Sequence, residues 1–106
     1  MVIIIERVIQ RIANGKWEEL EKLDKQFNEL EAHFGFPKKK RFRYMSGAYD
    51  TQTLVIERQW QSMALIEKAY VKAFLDSDYQ KLSEKIEPIV EWEKIELLIP
   101  HPPVPE

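Results

Sequence analysis

Charge interrupts the two most apolar stretches of the chain. Glu6 and Arg7 break Met1–Ile12, and Glu57 and Arg58 break Thr53–Trp60. Arg58 and Trp60 occupy alternate positions, so in a strand they share one face. An arginine beside an indole can hold an anionic aromatic ligand by charge and stacking. The same arginine can instead pair with Glu6 on a neighbouring strand while Trp60 fills the core. Glu6 is either a buried carboxylate able to act as a base or the partner of Arg7 or Arg58. Arg43, Tyr44 and Tyr49 form a second polar group, in which a tyrosine could donate a proton or a hydrogen bond. The alternative for them is packing at a sheet edge. The candidate catalytic residues are therefore Arg58, Tyr44 and Glu6, and the candidate ligand-binding residues are Arg43, Tyr44, Arg58 and Trp60. Trp17 and Trp92 suit the core or an interface better than a site. His33 could be a base or a haem ligand, but its place at a helix end equally suits an exposed histidine near the negative end of the helix dipole.

Composition removes several chemistries. There is no cysteine, which excludes a disulfide framework and cysteine-ligated zinc or iron–sulfur sites, and only two histidines, His33 and His101, are present. No phosphate-binding glycine loop, nucleophile elbow or HExxH motif occurs. No cofactor and no metal site are expected. The net charge is −2, which argues against nucleic acid as a partner. The basic run Lys38–Arg43, with its aromatic, raises RNA binding on a four-stranded sheet as a rival. However, TLVIERQW lacks the aromatic-rich motif such sheets carry on their third strand. No stretch reaches the roughly 18 apolar residues of a membrane span. The N-terminal VIII has no basic region before it and runs straight into Glu6-Arg7, so it reads as a strand rather than a leader, and a cytoplasmic location is expected.

These residues need elements to position them. Val2–Ile12 reads as strand 1, with Val2, Ile4 and Val8 on one face and Ile3, Ile5 and Ile9 on the other. Asn14-Gly15 breaks the pattern, and either residue can cap helix 1, Lys16–Phe34. Trp17, Leu20, Leu23, Phe27, Leu30 and Phe34 form its apolar stripe, and Gly35 and Pro37 end it. Strand 2 is expected over Lys40–Tyr49 at a sheet edge, joined by Asp50-Thr51-Gln52 to strand 3, Thr53–Trp60. Ser62 caps helix 2, Met63–Leu75; Ser77 with Gln80 fits a capping box opening a further helical segment that ends near Ile86, ahead of Pro88. Val90–Ile99 is strand 4. Residues 1–100 make one domain, followed by a proline-rich extended tail over 101–106, whose Pro100-to-Pro103 spacing would permit PxxP recognition.

The order β-α-β-β-α-β predicts an α+β, ferredoxin-like fold: a four-stranded antiparallel sheet with helices on one face and strands 1 and 3 central. Strand 1 is apolar on both faces, so its second face needs cover. A homodimer through the sheet faces would bury it; a monomer covered by its own loops or tail is the alternative.

Specific residues also resemble a known group. Ile5-Glu6-Arg7, Gly15-Lys16, Phe34-Gly35-Phe36, Arg58-Gln59-Trp60 with Ser62, Phe74–Gln80, Pro88-Ile89-Val90 and Glu96-Leu97-Leu98 with Pro100 are similar to the dimeric α/β-barrel superfamily, most nearly its NIPSNAP-like branch. The resemblance spans about Met1–Pro100. It implies a homodimer whose sheets form a barrel, with a cavity between sheet and helices in each subunit. Members of the superfamily include cofactor-free monooxygenases, haem-degrading monooxygenases, decarboxylases or isomerases of small molecules, and proteins of unknown role. The arginines beside aromatic residues suggest a small aromatic or anionic ligand in that cavity, bound by a cofactor-free monooxygenase-like enzyme or by a non-catalytic binding or scaffold dimer. Haem-degrading members would carry a histidine on the second helix, where this chain has none.

Overall fold

β1 (Ile4–Ile12) is paired along both edges, by β3 and β4, the central place its apolar residues suit. The computed structural model describes residues 3–102. Val2, expected at the start of β1, lies outside them, as do residues 103–106 with Pro103 and most of the expected tail. After β1 come α1 (Trp17–Phe34), β2 (Lys40–Arg43), β3 (Thr53–Trp60), α2 (Met63–Leu75), α3 (Ser77–Ile86) and β4 (Val90–Leu98). The sheet order is β2-β3-β1-β4, and every neighbouring pair is antiparallel. This is the ferredoxin-like order, with β1 and β3 central. Among the described residues no helix is long and apolar enough to cross a membrane.

Register divides the strand residues between the two faces. Ile4↔Trp60, Glu6↔Arg58, Val8↔Ile56 and Gln10↔Leu54 pair β1 with β3 on the side that carries the helices. Leu23 and Leu20 of α1, Leu82 of α3 and Ile89 pack there with Ile12 and Leu54 in one core cluster. Trp60, Phe34, Phe36, Ile66, Ala69 and Ala73 make a second at the other end of the helices. The opposite face bears Ile5, Arg7, Ile9 and Arg11 of β1 with Val55 and Glu57 of β3.

Four local expectations are corrected. The first is the cap of α1: Lys16 occupies the N-cap position without a side-chain bond, while Asn14 and Gly15 form the turn, Gly15 at φ 76°. The second is the length of β2, which ends at Arg43 instead of Tyr49. Tyr44 N–H still reaches Thr53 O, but the next residues leave the sheet. The Asp50 carboxylate accepts from Gln52 N and Thr53 Oγ1 and closes the turn into β3. The departing segment lies across the open face. The Tyr49 ring contacts those of Tyr44 (5.3 Å) and Trp92 (5.4 Å), and Lys94 Nζ is 3.1 Å from Tyr49 Oη. Ile9 and Val55 are accordingly buried within a single chain. The third is the cap of α3: Asp76, rather than Ser77, accepts from Tyr79 N at 2.9 Å, and Gln80 donates to Phe74 O instead of closing a capping box. A carboxylate one residue earlier is the stronger acceptor for an exposed helix N–H. Ser62 does cap α2, accepting from Leu65 N. The fourth is a minor boundary, with β4 ending at Leu98.

Candidate functional site: a buried ion-pair cluster beneath a small cavity

The four charges that interrupt the strands separate into two cross-strand pairs on opposite faces. On the open face Arg7 Nε meets Glu57 Oε2 at 3.0 Å. On the helix face Glu6 and Arg58 oppose each other, both almost wholly buried, with Arg58 Nη1 3.6 Å from Glu6 Oε1. That distance is too long for a hydrogen bond. Trp60 Nε1 donates to Glu6 Oε1 at 3.1 Å, and the Tyr70 hydroxyl of α2 donates to Oε2. Both oxygens of Glu6 are therefore occupied. Arg58 makes its closest ion pair with Glu31 of α1, Nη2 to Oε2 at 2.8 Å, and its guanidinium lies 4.9 Å from the Phe36 ring centre.

Glu31 links this cluster to another. Lys39 Nζ bonds Glu31 Oε1 at 3.1 Å and Asp24 Oδ1 at 2.6 Å. Arg41 of β2 forms a bidentate pair with Glu21, both contacts 2.6 Å, and approaches Asp24 at 3.6 Å. The bond from Arg41 holds the Glu21 carboxyl below its ordinary range. The basic run is thus drawn in part onto the acidic side of α1.

Above the cluster lies a cavity of ≈ 190 Å³ between sheet and helices. Its apolar wall includes Leu20, Phe27, Phe36, Ile56 and Ile86; its polar wall includes Arg58, Arg41, Glu31, Tyr70 and Tyr79. The volume suits a molecule about the size of a substituted benzene, since a 150 Å³ apolar cavity holds benzene. Arg58 Nε and Arg41 Nε are buried and have no hydrogen-bond partner. Buried donors without acceptors are uncommon; both guanidinium groups are held instead through their terminal nitrogens, Arg58 by Glu31 and Arg41 by Glu21.

Burial and the bond to Glu6 push the Tyr70 hydroxyl well above its ordinary pKa. Burial, reinforced by the Glu31 charge, pushes Tyr79 up to about 12. Both tyrosines are proton-bearing through the neutral range. A group whose folded pKa is raised contributes stability below its unfolded pKa and loses it as pH climbs to the folded value. For Tyr79 that window runs from the ordinary 10.0 to about 12. Urea unfolding from pH 9 to 11 should show stability falling with pH above 10, and Tyr79→Phe should flatten that fall. An unchanged slope in the variant would place Tyr79 in water.

The other candidates lie elsewhere. Trp60 is core, 1% exposed, and packs behind the cavity against Phe36 and Tyr70 of its wall. Arg43 sits at the β2 edge, opposite Leu54 and four residues along β3 from Arg58. It lies 4.1 Å over the Trp17 ring and donates to Thr51 O. Tyr44 lines an open hollow with Phe42 and Met45. The structure therefore brings Arg58, Glu6 and Trp60 together and leaves Arg43 and Tyr44 apart from them. His33 is exposed beside Phe34 at the end of α1. Among the described residues no cluster of three or more His, Asp or Glu is arranged to hold a metal ion.

Residues that the sequence reading did not place here are Asp24 and Glu31, and also Lys39, which it took only as part of the basic run Lys38–Arg43. Asp24 and Glu31 follow the spacing of the apolar stripe, Leu20-Asp24-Phe27-Glu31, so they face inward with it. Carboxylates on an apolar stripe were the available signal.

Solved structures share this architecture. A NIPSNAP family protein from Agrobacterium tumefaciens str. C58 superposes with a TM-score of 0.80 at 21% identity, covering 93% of this chain and 86% of that one. An uncharacterized NIPSNAP domain protein from Burkholderia xenovorans gives 0.79 at 17% identity, covering 92% and 93%. The chain has the fold of these NIPSNAP proteins. A conserved protein of unknown function from Bacteroides thetaiotaomicron VPI-5482, described as a possible oxidoreductase, gives 0.64 at 14% identity, covering 92% and 97%. No protein-family model and no curated protein sequence matches the chain.

Proposed function

We propose that this is a NIPSNAP-like protein that works as a cytoplasmic homodimer and binds a small aromatic or anionic molecule between sheet and helices. The observation that carries the binding reading is Arg58. It is 5% exposed and lines the cavity, where its guanidinium could meet a polar or anionic group, with Phe36, Tyr70 and Tyr79 as the surface for an aromatic body. The homodimer draws support from what the single chain leaves uncovered. Phe42 is 50% exposed, and β4, at the sheet edge, exposes Ile95, Leu97 and Leu98.

Binding without catalysis is favoured by the place of Glu6, which accepts from Trp60 and Tyr70 behind Arg58 and is not part of the cavity wall. The catalytic version is a cofactor-free monooxygenase-like activity, in keeping with the fold neighbour described as a possible oxidoreductase. In it Arg58 would polarise an oxyanion, and Tyr79 would supply a protonated hydroxyl.

Native mass spectrometry with a panel of phenyl carboxylates, amides and phenols tests the assembly and the site together. The expected spectrum shows a dimer carrying a panel member, with that adduct weakened in Arg58→Lys, which keeps the charge but lacks the planar guanidinium. A monomer would overturn the assembly. Absence of every adduct, or adducts indifferent to Arg58→Lys in a folded variant, would overturn the site.

A further inference from the structure

The cavity opens at β4. Of the described residues that line it, only Glu93 and Ile95 are exposed, and both belong to that strand. β4 is the sheet edge and is exposed along most of its length. Glu93 stands beside Gln10 of β1, whose amide donates to Oε1 at 2.8 Å and leaves the second carboxylate oxygen open. The opposite lip is α3. Tyr79 and Ser83 are four residues apart on that helix, so they share a face, and both line the cavity. Tyr79 is held rigidly. Its N–H bonds the Asp76 cap, and its ring meets the edges of Phe27 and Phe34, at 5.5 and 6.1 Å between centres. The charges acting on its hydroxyl are chiefly those of Glu31, Arg58 and Glu93, which line the cavity with it.

Neither hydroxyl has a hydrogen-bond partner in the protein, and neither is sealed off. Among the described residues, the buried side-chain atoms without partners are Arg41 Nε and Arg58 Nε alone. Other polar groups of the wall are already engaged: the Tyr70 hydroxyl by Glu6, Lys39 by Asp24 and Glu31, and the Arg58 terminal nitrogen by Glu31. The free and reachable hydrogen-bonding capacity therefore gathers at the mouth, on Tyr79, Ser83 and Glu93.

We propose that Tyr79 and Ser83 read the polar group of the ligand, and that this group is a hydroxyl. The proposal rests on the binding reading above and names its ligand class, a small hydroxyl-bearing aromatic molecule. Its ring lies inward against Phe27 and Ile56, and its hydroxyl stays at the mouth. The two protein hydroxyls both donate and accept, whereas the open oxygen of Glu93 only accepts. A ligand hydroxyl suits that set, because it accepts from Tyr79 or Ser83 and still has a proton to give. A carbonyl or ether oxygen offers no proton, and a carboxylate would meet Glu93 charge against charge.

Phenol and toluene have nearly the same shape and exchange a hydroxyl for a methyl group. A wall of apolar or already bonded groups prefers toluene, since an unbonded hydroxyl is costly to bury. Isothermal titration of the intact protein at neutral pH should find phenol bound about fivefold or more tighter than toluene, as one neutral hydrogen bond allows. Tyr79→Phe and Ser83→Ala should each weaken phenol and leave toluene unchanged, and the double variant should prefer toluene. Retained toluene binding shows that the cavity is intact in the variants. Toluene bound as tightly as phenol by the wild-type protein would overturn this proposal and leave the cavity a binding site. Phenol affinity unmoved in the double variant would also overturn it. If neither compound binds, the proposal falls together with the binding reading for aromatic molecules.

Discussion

Replacing Glu6 with alanine is expected to destabilise the protein by about 3–5 kcal/mol, the usual cost of removing one partner from a buried ionic cluster. Glu6 is 2% exposed and accepts from Trp60 Nε1 and the Tyr70 hydroxyl while standing 3.6 Å from Arg58. Without it, two buried donors lose their acceptor, and Arg58 keeps Glu31 alone to balance its charge. Stabilities of domains of this size are about 5–15 kcal/mol, so the loss approaches half of the total. Glu6→Gln keeps an acceptor and the shape, and should cost less. Urea denaturation of both variants measures the difference. The exposed pair Lys22–Glu18, at 3.9 Å, provides the contrast, since its removal should change stability by only a few tenths of a kcal/mol. A cost for Glu6→Ala no greater than that of the surface pair would show that water reaches the cluster.

Trp60→Ala is expected to cost a similar amount, about 3–5 kcal/mol, for a different reason. Trp60 is among the largest fully buried side chains, 1% exposed, with Phe36 at 5.5 Å and Tyr70 at 6.3 Å between ring centres. Truncation opens a void that the rigid end of β3 cannot close, and it removes one donor to Glu6. Trp60→Phe refills part of the void and isolates the lost N–H. The two changes touch one cluster, so the Glu6→Ala, Trp60→Ala double variant should fall short of the sum of the single losses. Strict additivity would mean that the indole and the carboxylate stabilise the fold independently.

The order of elements and the central position of β1 could be read from sequence because periodicity reports burial directly. Leu54, Ile56 and Trp60 fall at alternate positions of Thr53–Trp60, and Met63–Leu75 begins at a serine cap. Strand 2 was overextended because Tyr44, Ser46 and Ala48 alternate with Arg43 and Met45 as a strand would. The chain instead leaves the sheet after Tyr44, turns through Gly47 at φ 133°, and packs Tyr49 on Trp92, 43 residues away in sequence. No local pattern encodes that contact. The same applies to the site. Glu6 and Arg58 were legible as strand charges needing a partner, and their register follows from the topology. Glu31 enters from α1 and Tyr70 from α2, and only the packing of the helices on the sheet brings them together. Arg43 and Tyr44 shared residue types with the site but not its place.

β1 has one more consequence, which concerns synthesis. Its two partners are β3, residues 53–60, and β4, residues 90–98, and Ile5 lies opposite Leu98. β1 therefore leaves the ribosome before both of its partners, and acquires its second neighbour only after every other strand of the sheet has been made. Until then its aliphatic run presents an unpaired edge, the kind of surface on which nascent chains associate wrongly. Glu6 and Arg7 sit in the middle of that run. In the finished protein they join two separate ion pairs; in the unfinished chain they are adjacent charges that break the run and keep it from pairing with its own copies.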